Sequence, residues 1–187
     1  MPQPYQKYID KILIPEDKLQ ARIRELAAEI NRDYAGKEVL IICILRGGVM
    51  FLTDLIRHIE VPLAIEFMAV SSYGTGVRSS QGDVRITLDL NTNIYGRHVI
   101  IVEDIIDSGH TLASVIDLLK TRDPASIYVC TLLDKYERRE VEVPIRYYGF
   151  KIKNEFVFGY GLDMDEYYRN LPFIATVNLD KYEPPAG

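Results

Sequence analysis

The stretch Val99–Leu112, VIIVEDIIDSGHTL, changes character halfway along. It opens as an apolar, β-branched run suited to a buried strand. It ends in Ser108-Gly109-His110-Thr111-Leu112, where a helix begins with Leu112, Val115, Ile116 and Leu119 on one face. Between the two stand three acids, Glu103, Asp104 and Asp107. The first N–H groups of a helix have no internal partner and carry partial positive charge. A strand-to-helix turn of this kind therefore suits a phosphate, with Gly109 admitting close backbone approach and Ser108 and Thr111 adding hydroxyls. Acids beside an anion site need a different task. Glu103 and Asp104, which end the expected strand, suit the hydroxyls of a sugar attached to that phosphate. Asp107, three residues after Asp104, is placed to face what the sugar carries. The stretch thus predicts a ribose 5-phosphate cradle, because three acids at a buried strand end are costly without a ligand to satisfy them.

Working outward, residues 16–34 place Leu19, Ile23, Leu26, Ala27, Ile30 and Tyr34 at helical spacing, and Gly36 ends the run. Residues 37–45 read as a buried strand broken by Gly47-Gly48, 49–59 as a helix and 62–72 as a strand. Residues 73–83, YGTGVRSSQGD, are polar and rich in Gly and Ser. Long loops of this kind are uncommon in compact domains and usually functional. Strand 97–104, helix 109–122 and strand 126–135 complete the pattern. Strands and helices that alternate, with near-continuous apolar strands, predict a parallel sheet covered on both faces. The last third differs: IRYYGFKI and EFVFGYGLD are short, aromatic and contain Gly, which predicts a small β-rich addition near the sheet edge. Ligands in open α/β sheets bind at the carboxyl ends of strands, here around 45–48, 71–83, 103–111 and 134–135.

Composition narrows the function. The chain has 187 residues, 48% hydrophobic and 26% charged, which fits a single domain over 1–187. Its net charge of 22 − 27 = −5, without a clustered basic stripe, disfavours a nucleic-acid partner. Cys43 and Cys130 lie inside apolar runs as core thiols, and no Cys/His cluster has metal-ligand spacing. The segment MPQPYQKYIDKIL lacks a signal pattern and no apolar run reaches membrane-spanning length, so the expectation is cytoplasmic, with no membrane partner. Neither a G-x-x-x-x-G-K-[ST] nor a G-x-G-x-x-G motif occurs, so a nucleoside triphosphate or NAD reading lacks its usual carrier.

VIIVEDIIDSGHTL resembles the phosphoribosyl-pyrophosphate (PRPP) motif of the type I phosphoribosyltransferases: apolar residues, two acids, two apolar residues, then D-[ST]-G-x-T. Nearly the whole chain is similar to the hypoxanthine (hypoxanthine–guanine) branch of that family. The similarity is carried by LRGGVMFLTDL (45–55), SSYGTGVRSSQGDVRI (71–86), LLDKYERR (132–139) and EFVFGYGLDMDEYYRNLP (155–172). The resemblance implies a mostly parallel central sheet flanked by helices, with a small β-rich hood from the chain ends. It implies Asp107 as the catalytic residue. Glu103, Asp104, Ser108, Gly109, His110 and Thr111, with Arg46, Gly47 and Arg169, would bind PRPP or nucleotide. Lys135, Phe156, Val157 and Asp163 would bind the purine, and Ser72 and Tyr73 belong to a flexible catalytic loop. Mg²⁺ is the implied cofactor, with Asp163, Glu103 and Asp104 as metal positions, and a homodimer or homotetramer is the implied assembly. The family more often has lysine at the position of Arg46, so a planar fork stands where an ammonium is usual.

Lys135 has a reading of its own. An ammonium donates and cannot accept, so it suits the 6-oxo group of hypoxanthine or guanine and disfavours the 6-amino group of adenine. Lys135 and EFVFGYGLD speak against adenine and pyrimidine bases without ranking hypoxanthine, guanine and xanthine. A PRPP-sensing regulator that binds RNA or DNA with this fold is a second reading, disfavoured by the acidic balance. A purely structural α/β domain is a third, and it leaves the acids and the long loop unexplained.

Overall fold

Val39–Leu45 is buried along all but its last residue, so a strand formed here must be covered on both faces. The computed structural model, which describes residues 4–72 and 84–182, meets that demand. In chain order the elements are β1 (Ile9–Ile14), α1 (Glu16–Asp33), β2 (Val39–Leu45), α2 (Val49–Ile56), β3 (Leu63–Ser72), β4 (Val84–Leu88), β5 (His98–Ile106), α3 (His110–Lys120), β6 (Ser126–Asp134), β7 (Ile145–Lys151), β8 (Val157–Phe158) and β9 (Ile174–Val177). Six strands form the main sheet in the order β4-β3-β2-β5-β6-β7. Every neighbouring pair in it is parallel except β3 with β4.

The period-two alternation of strand side chains assigns the two faces. Ile41, Cys43, Ile100, Val102, Cys130 and Leu132 pack on one face with Leu19, Ile23 and Leu26 of α1 and Phe51, Leu52 and Leu55 of α2. Leu40, Ile42, Val99, Ile101 and Val129 pack on the other with Leu112, Val115, Ile116 and Leu119 of α3. Both cysteines are buried thiols within this core, as their apolar settings predict. A second, antiparallel sheet of order β1-β9-β8 is built from the two ends of the described chain. Phe158, Met164, Leu171, Ala175 and Val177 form its own core. This is the expected hood.

Several expectations need correction. IRYYGFKI does not join the small addition: β7 pairs in parallel with β6 and forms an edge of the main sheet. The strand expected to end at Asp104 continues to Ile106, because Ile105 and Ile106 still pair with Leu133 and Asp134 of β6. Glu103 and Asp104 therefore lie within a strand. Residues 71–72 and 84–86, grouped with the flexible segment, belong to β3 and β4, which pair there (Ser71 with Arg85, Ser72 with Val84), so Ser72 is a strand residue. β1 and β9 carry too little periodicity to be read alone. The helix expected over 49–59 ends at Ile56. Tyr73 and the rest of 73–83 lie outside the described residues.

Candidate active site

Between β5 and α3 the chain must turn from extended to helical within three residues. Gly109 does this with φ of 93°, a left-handed conformation that costs glycine nothing and other residues more. Space enforces the same choice, since a Cβ on Gly109 would lie 3.1 Å from Val141 O and from Arg139 Nη1. A cavity of ≈ 210 Å³ opens beside this turn, lined by Ile44, Val70, Glu103, Ile105, Ile106, Asp107, Ser108, Gly109, Thr111, Leu112 and Val115. Of the expected PRPP-binding residues, Glu103, Ser108, Gly109 and Thr111 share this cavity with Asp107. His110 does not line it: its ring turns outward, with Nε2 2.8 Å from Glu140 Oε2.

Glu103 and Asp104 are neighbours in β5 yet serve different spaces. The Oε2 atom of Glu103 is buried and has no hydrogen-bond partner among the described residues. Burial, reinforced by the adjacent Asp104 carboxylate, raises the Glu103 carboxyl well above its ordinary pKa. Asp104 points instead at the β2–α2 turn, where a Cβ on Gly47 would lie 1.7 Å from Asp104 Oδ2. Burial raises the Asp104 carboxyl too, and the Ile105 N–H it accepts at 2.9 Å and the charge of Arg169 offset only part of that rise.

A second cluster lies where the hood meets the β2–α2 turn. Gly161, at φ of 97°, packs so closely that a Cβ on it would lie 2.1 Å from Gly47 O. Arg169 donates through Nη1 to Gly161 O at 2.9 Å and pairs through Nη2 with Asp163 Oδ1 at 2.9 Å. Asp163 Oδ2 also accepts the Glu166 N–H at 2.9 Å. Arg46 reaches the same place, with Nη1 2.9 Å from Glu166 Oε2, and Arg169 Nη2 lies 3.7 Å from that oxygen. Arg46, Gly47, Asp163 and Arg169 are therefore brought together, but outside the lining of the first cavity.

The third cluster surrounds Asp107. Lys135 Nζ lies 3.4 Å from Asp107 Oδ2, and Arg138 Nε lies 2.7 Å from Oδ1. Lys135 is buried, and its N–H donates to Ile106 O at 3.0 Å, which anchors it to the end of β5. Phe156 and Val157 belong to the hood, just before and at the start of β8. Phe156 is 48% exposed and meets the Tyr182 ring edge-on, whereas Val157 is buried at the start of β8. Arg138, Arg139, Gly161 and Glu166 were not singled out from sequence. The arginines had a signal, since they directly follow Lys135 in LLDKYERR; the tight packing of Gly161 had none.

No three His, Cys, Asp or Glu side chains converge on a metal position among the described residues. A divalent cation would have to draw most of its partners from water and a bound diphosphate, as Mg²⁺ commonly does. The unpartnered, buried Glu103 Oε2 fits one carboxylate contact of such an ion.

Comparison with known proteins agrees with this geometry. The family model described as phosphoribosyl transferase domain matches residues 15–165. A hypoxanthine phosphoribosyltransferase of Haemophilus influenzae is 51% identical over 173 residues, covering 91% of this chain and 96% of the relative. One from Escherichia coli (strain K12) is 46% identical over 175 residues, covering 92% and 98%. The crystal structure of a hypoxanthine phosphoribosyltransferase from Staphylococcus aureus matches with a TM-score of 0.92 at 42% identity, over 98% of this chain and 99% of that one. A PRPP-type turn on a parallel sheet, a hood over its glycine loop and near end-to-end similarity lead to one assignment: the chain belongs to the phosphoribosyltransferase family, within its hypoxanthine phosphoribosyltransferases.

Proposed function

We propose that this enzyme transfers the 5-phosphoribosyl group of PRPP to N9 of hypoxanthine, with guanine as a second acceptor, giving the nucleoside 5′-monophosphate and pyrophosphate in purine salvage. The observation that carries the substrate reading is the pairing of Asp107 with Lys135 beside the phosphate-type turn. It joins a carboxylate, a donor-only ammonium and an anion site in one place.

In this reading the 5′-phosphate rests on the turn 107–111, held by main-chain N–H groups, among them that of His110, and by the Ser108 and Thr111 hydroxyls. Glu103 and Asp104 accept the ribose hydroxyls. As the C1′–O bond to pyrophosphate stretches, the sugar becomes cationic, and these acids stabilise it. Arg46, Arg169 and the Gly47 backbone balance the negative charge gathering on the diphosphate. Lys135 donates to the 6-oxo group, Phe156 stacks on the base, and the backbone of Val157 and Asp163 meets its edge. Asp107 handles the proton at N7 while N9 attacks C1′; a general acid/base residue contributes about 10²–10⁴-fold.

Mg²⁺ is the proposed cofactor; Glu103, Asp104 and Asp163 would each offer it a single carboxylate, since they face different spaces and form no three-acid set among the described residues. When bound with the diphosphate, it neutralises charge on the departing oxygens. The chain acts as one domain on small molecules, in the cytoplasm, as a homodimer or homotetramer. No helix among the described residues is long and apolar enough to cross a membrane.

A panel of hypoxanthine, guanine, xanthine and adenine, each with PRPP and Mg²⁺ and followed spectrophotometrically, tests the reading. Hypoxanthine should be consumed and adenine left unchanged. Turnover of none of them removes the proposal, and preference for adenine removes the role of Lys135.

A further inference from the structure

We infer that Arg139 is a positioning residue that locks the phosphate turn to the purine end of β6. The inference rests on the reaction proposed above. Its guanidinium spans two elements: Nη1 donates to the main-chain carbonyl of Asp107 at 2.9 Å, and Nη2 pairs with the Asp134 carboxylate. Asp134 is the last residue of β6 and directly precedes Lys135. The tie is well shielded, with the Arg139 side chain 17% exposed and that of Asp134 9%. The following residues continue the clasp, since the N–H groups of Glu140 and Val141 donate to Ser108 O at 3.0 and 3.3 Å.

One rigid fork therefore fixes the distance between the turn that presents N–H groups to a phosphate and the strand end that presents Lys135. Lysine cannot copy this, because an ammonium is a point charge without a planar pair of donors. Because the pair is shielded, Arg139→Ala leaves the Asp134 charge unpaired and costs stability as well as geometry, whereas Arg139→Lys keeps the charge and removes only the fork. A small misplacement of reacting groups is enough to cost about 10²-fold in rate.

The test compares wild type with Arg139→Lys and Arg139→Ala by steady-state kinetics and thermal unfolding. Arg139→Lys should raise KM for PRPP and lower kcat, each by about tenfold or more, with KM for hypoxanthine within about threefold and the unfolding temperature nearly unchanged. Added ethylguanidinium should restore part of the Arg139→Ala turnover, a readout that generic destabilisation would not produce. Should Arg139→Ala fail to fold, Asp134→Asn gives the second arm: it keeps Arg139, frees one end of the fork, and should raise KM for PRPP with a folded protein. Unaltered PRPP kinetics in Arg139→Lys or in Asp134→Asn overturn the inference. So does a loss of activity that tracks lost stability and resists ethylguanidinium. A wild-type enzyme that turns over no base with PRPP refutes the proposed reaction instead, so the two failures are distinct.

Discussion

The Asp104 carboxylate occupies the space that a side chain on Gly47 would need: a Cβ there would lie 1.7 Å from Oδ2. From the other side the hood closes in, with Gly161 against Gly47 O. The β2–α2 turn is thus clamped between a carboxylate proposed to bind the ribose and the backbone of the hood. Gly47→Ala must displace Asp104, the turn or both. Overpacking of this kind costs about 1–3 kcal/mol, or roughly 2–4 °C in unfolding temperature per kcal/mol at this chain length. Activity should fall much further, by about 10²-fold in kcat/KM for PRPP, because both groups leave their places. Steady-state kinetics beside a melting curve check this, and an active, stable Gly47→Ala enzyme contradicts it.

Glu103 gives a pH-dependent test. Its carboxyl is raised by burial first and by Asp104 second, so the folded protein holds the proton to higher pH than the unfolded chain, whose value is near 4.5. Below that value both states are protonated, and Glu103 adds no pH dependence. As pH rises from there toward the folded value, the unfolded chain releases its proton first, and stability falls. Glu103→Gln removes this fall. The variant should melt with the wild type near pH 4 and above it at pH 8. If Glu103 accepts from ribose as proposed, the variant should also bind PRPP more weakly, since one carboxyl oxygen becomes an NH₂ donor; a neutral hydrogen bond contributes about 0.5–1.5 kcal/mol, or roughly two- to tenfold. Melting curves of the ligand-free protein across pH decide the first part, and an equal offset at both pH values counts against it.

Both tests use residues whose placement was only partly legible from sequence. The apolar alternation in Val99–Val102 and the helical spacing after Gly109 determine the sheet and the phosphate turn, because burial of strand and helix faces leaves few other arrangements. The acids were legible as a group. That Glu103 lines the cavity while Asp104 faces Gly47 follows from strand alternation once the strand runs past Asp104; a strand ending at Asp104 hides it. IRYYGFKI carries short aromatic and Gly features that suggest a separate small sheet; in the structure β7 pairs with β6, and Tyr147 is buried in the main-sheet core with Cys130 and Leu132. Arg139 stood within LLDKYERR with its partner Asp134, but its second contact, the Asp107 carbonyl, and the Glu166 contact with Arg46 join residues far apart in sequence.

Asp107 is held by two cations, Lys135 at 3.4 Å and Arg138 at 2.7 Å. In the proposed complex a purine that engages Lys135 loosens the first pair, so Asp107 meets N7 while still held by Arg138. Asp107→Asn keeps the shape and cannot take up a proton. Turnover should drop well over tenfold, in keeping with the ~10²–10⁴-fold contribution of general acid/base groups. PRPP affinity should be largely kept, because in the proposed complex the turn holds phosphate through backbone N–H groups and the Ser108 and Thr111 hydroxyls, none of which this substitution removes. Single-turnover kinetics with a separate PRPP titration make the distinction, and wild-type turnover in Asp107→Asn would refute the assignment.

Glu166 joins the two arginines proposed to meet the diphosphate. It lies 2.9 Å from Arg46 Nη1 and 3.7 Å from Arg169 Nη2. In the proposed complex Glu166 therefore stands where negative charge is wanted, and the diphosphate competes with it for both guanidiniums. The competition is mild, because the Arg46 and Glu166 side chains are 70% and 59% exposed. Exposed pairs contribute about 0–1 kcal/mol, so Glu166→Gln should lower KM for PRPP by no more than about fivefold and leave kcat near wild type. Screening sharpens the test. Added salt weakens the exposed Arg46–Glu166 pair, so the advantage of Glu166→Gln should shrink between low and high ionic strength. A raised KM for PRPP in Glu166→Gln would mean that Glu166 orients the arginines for the diphosphate instead of competing with it.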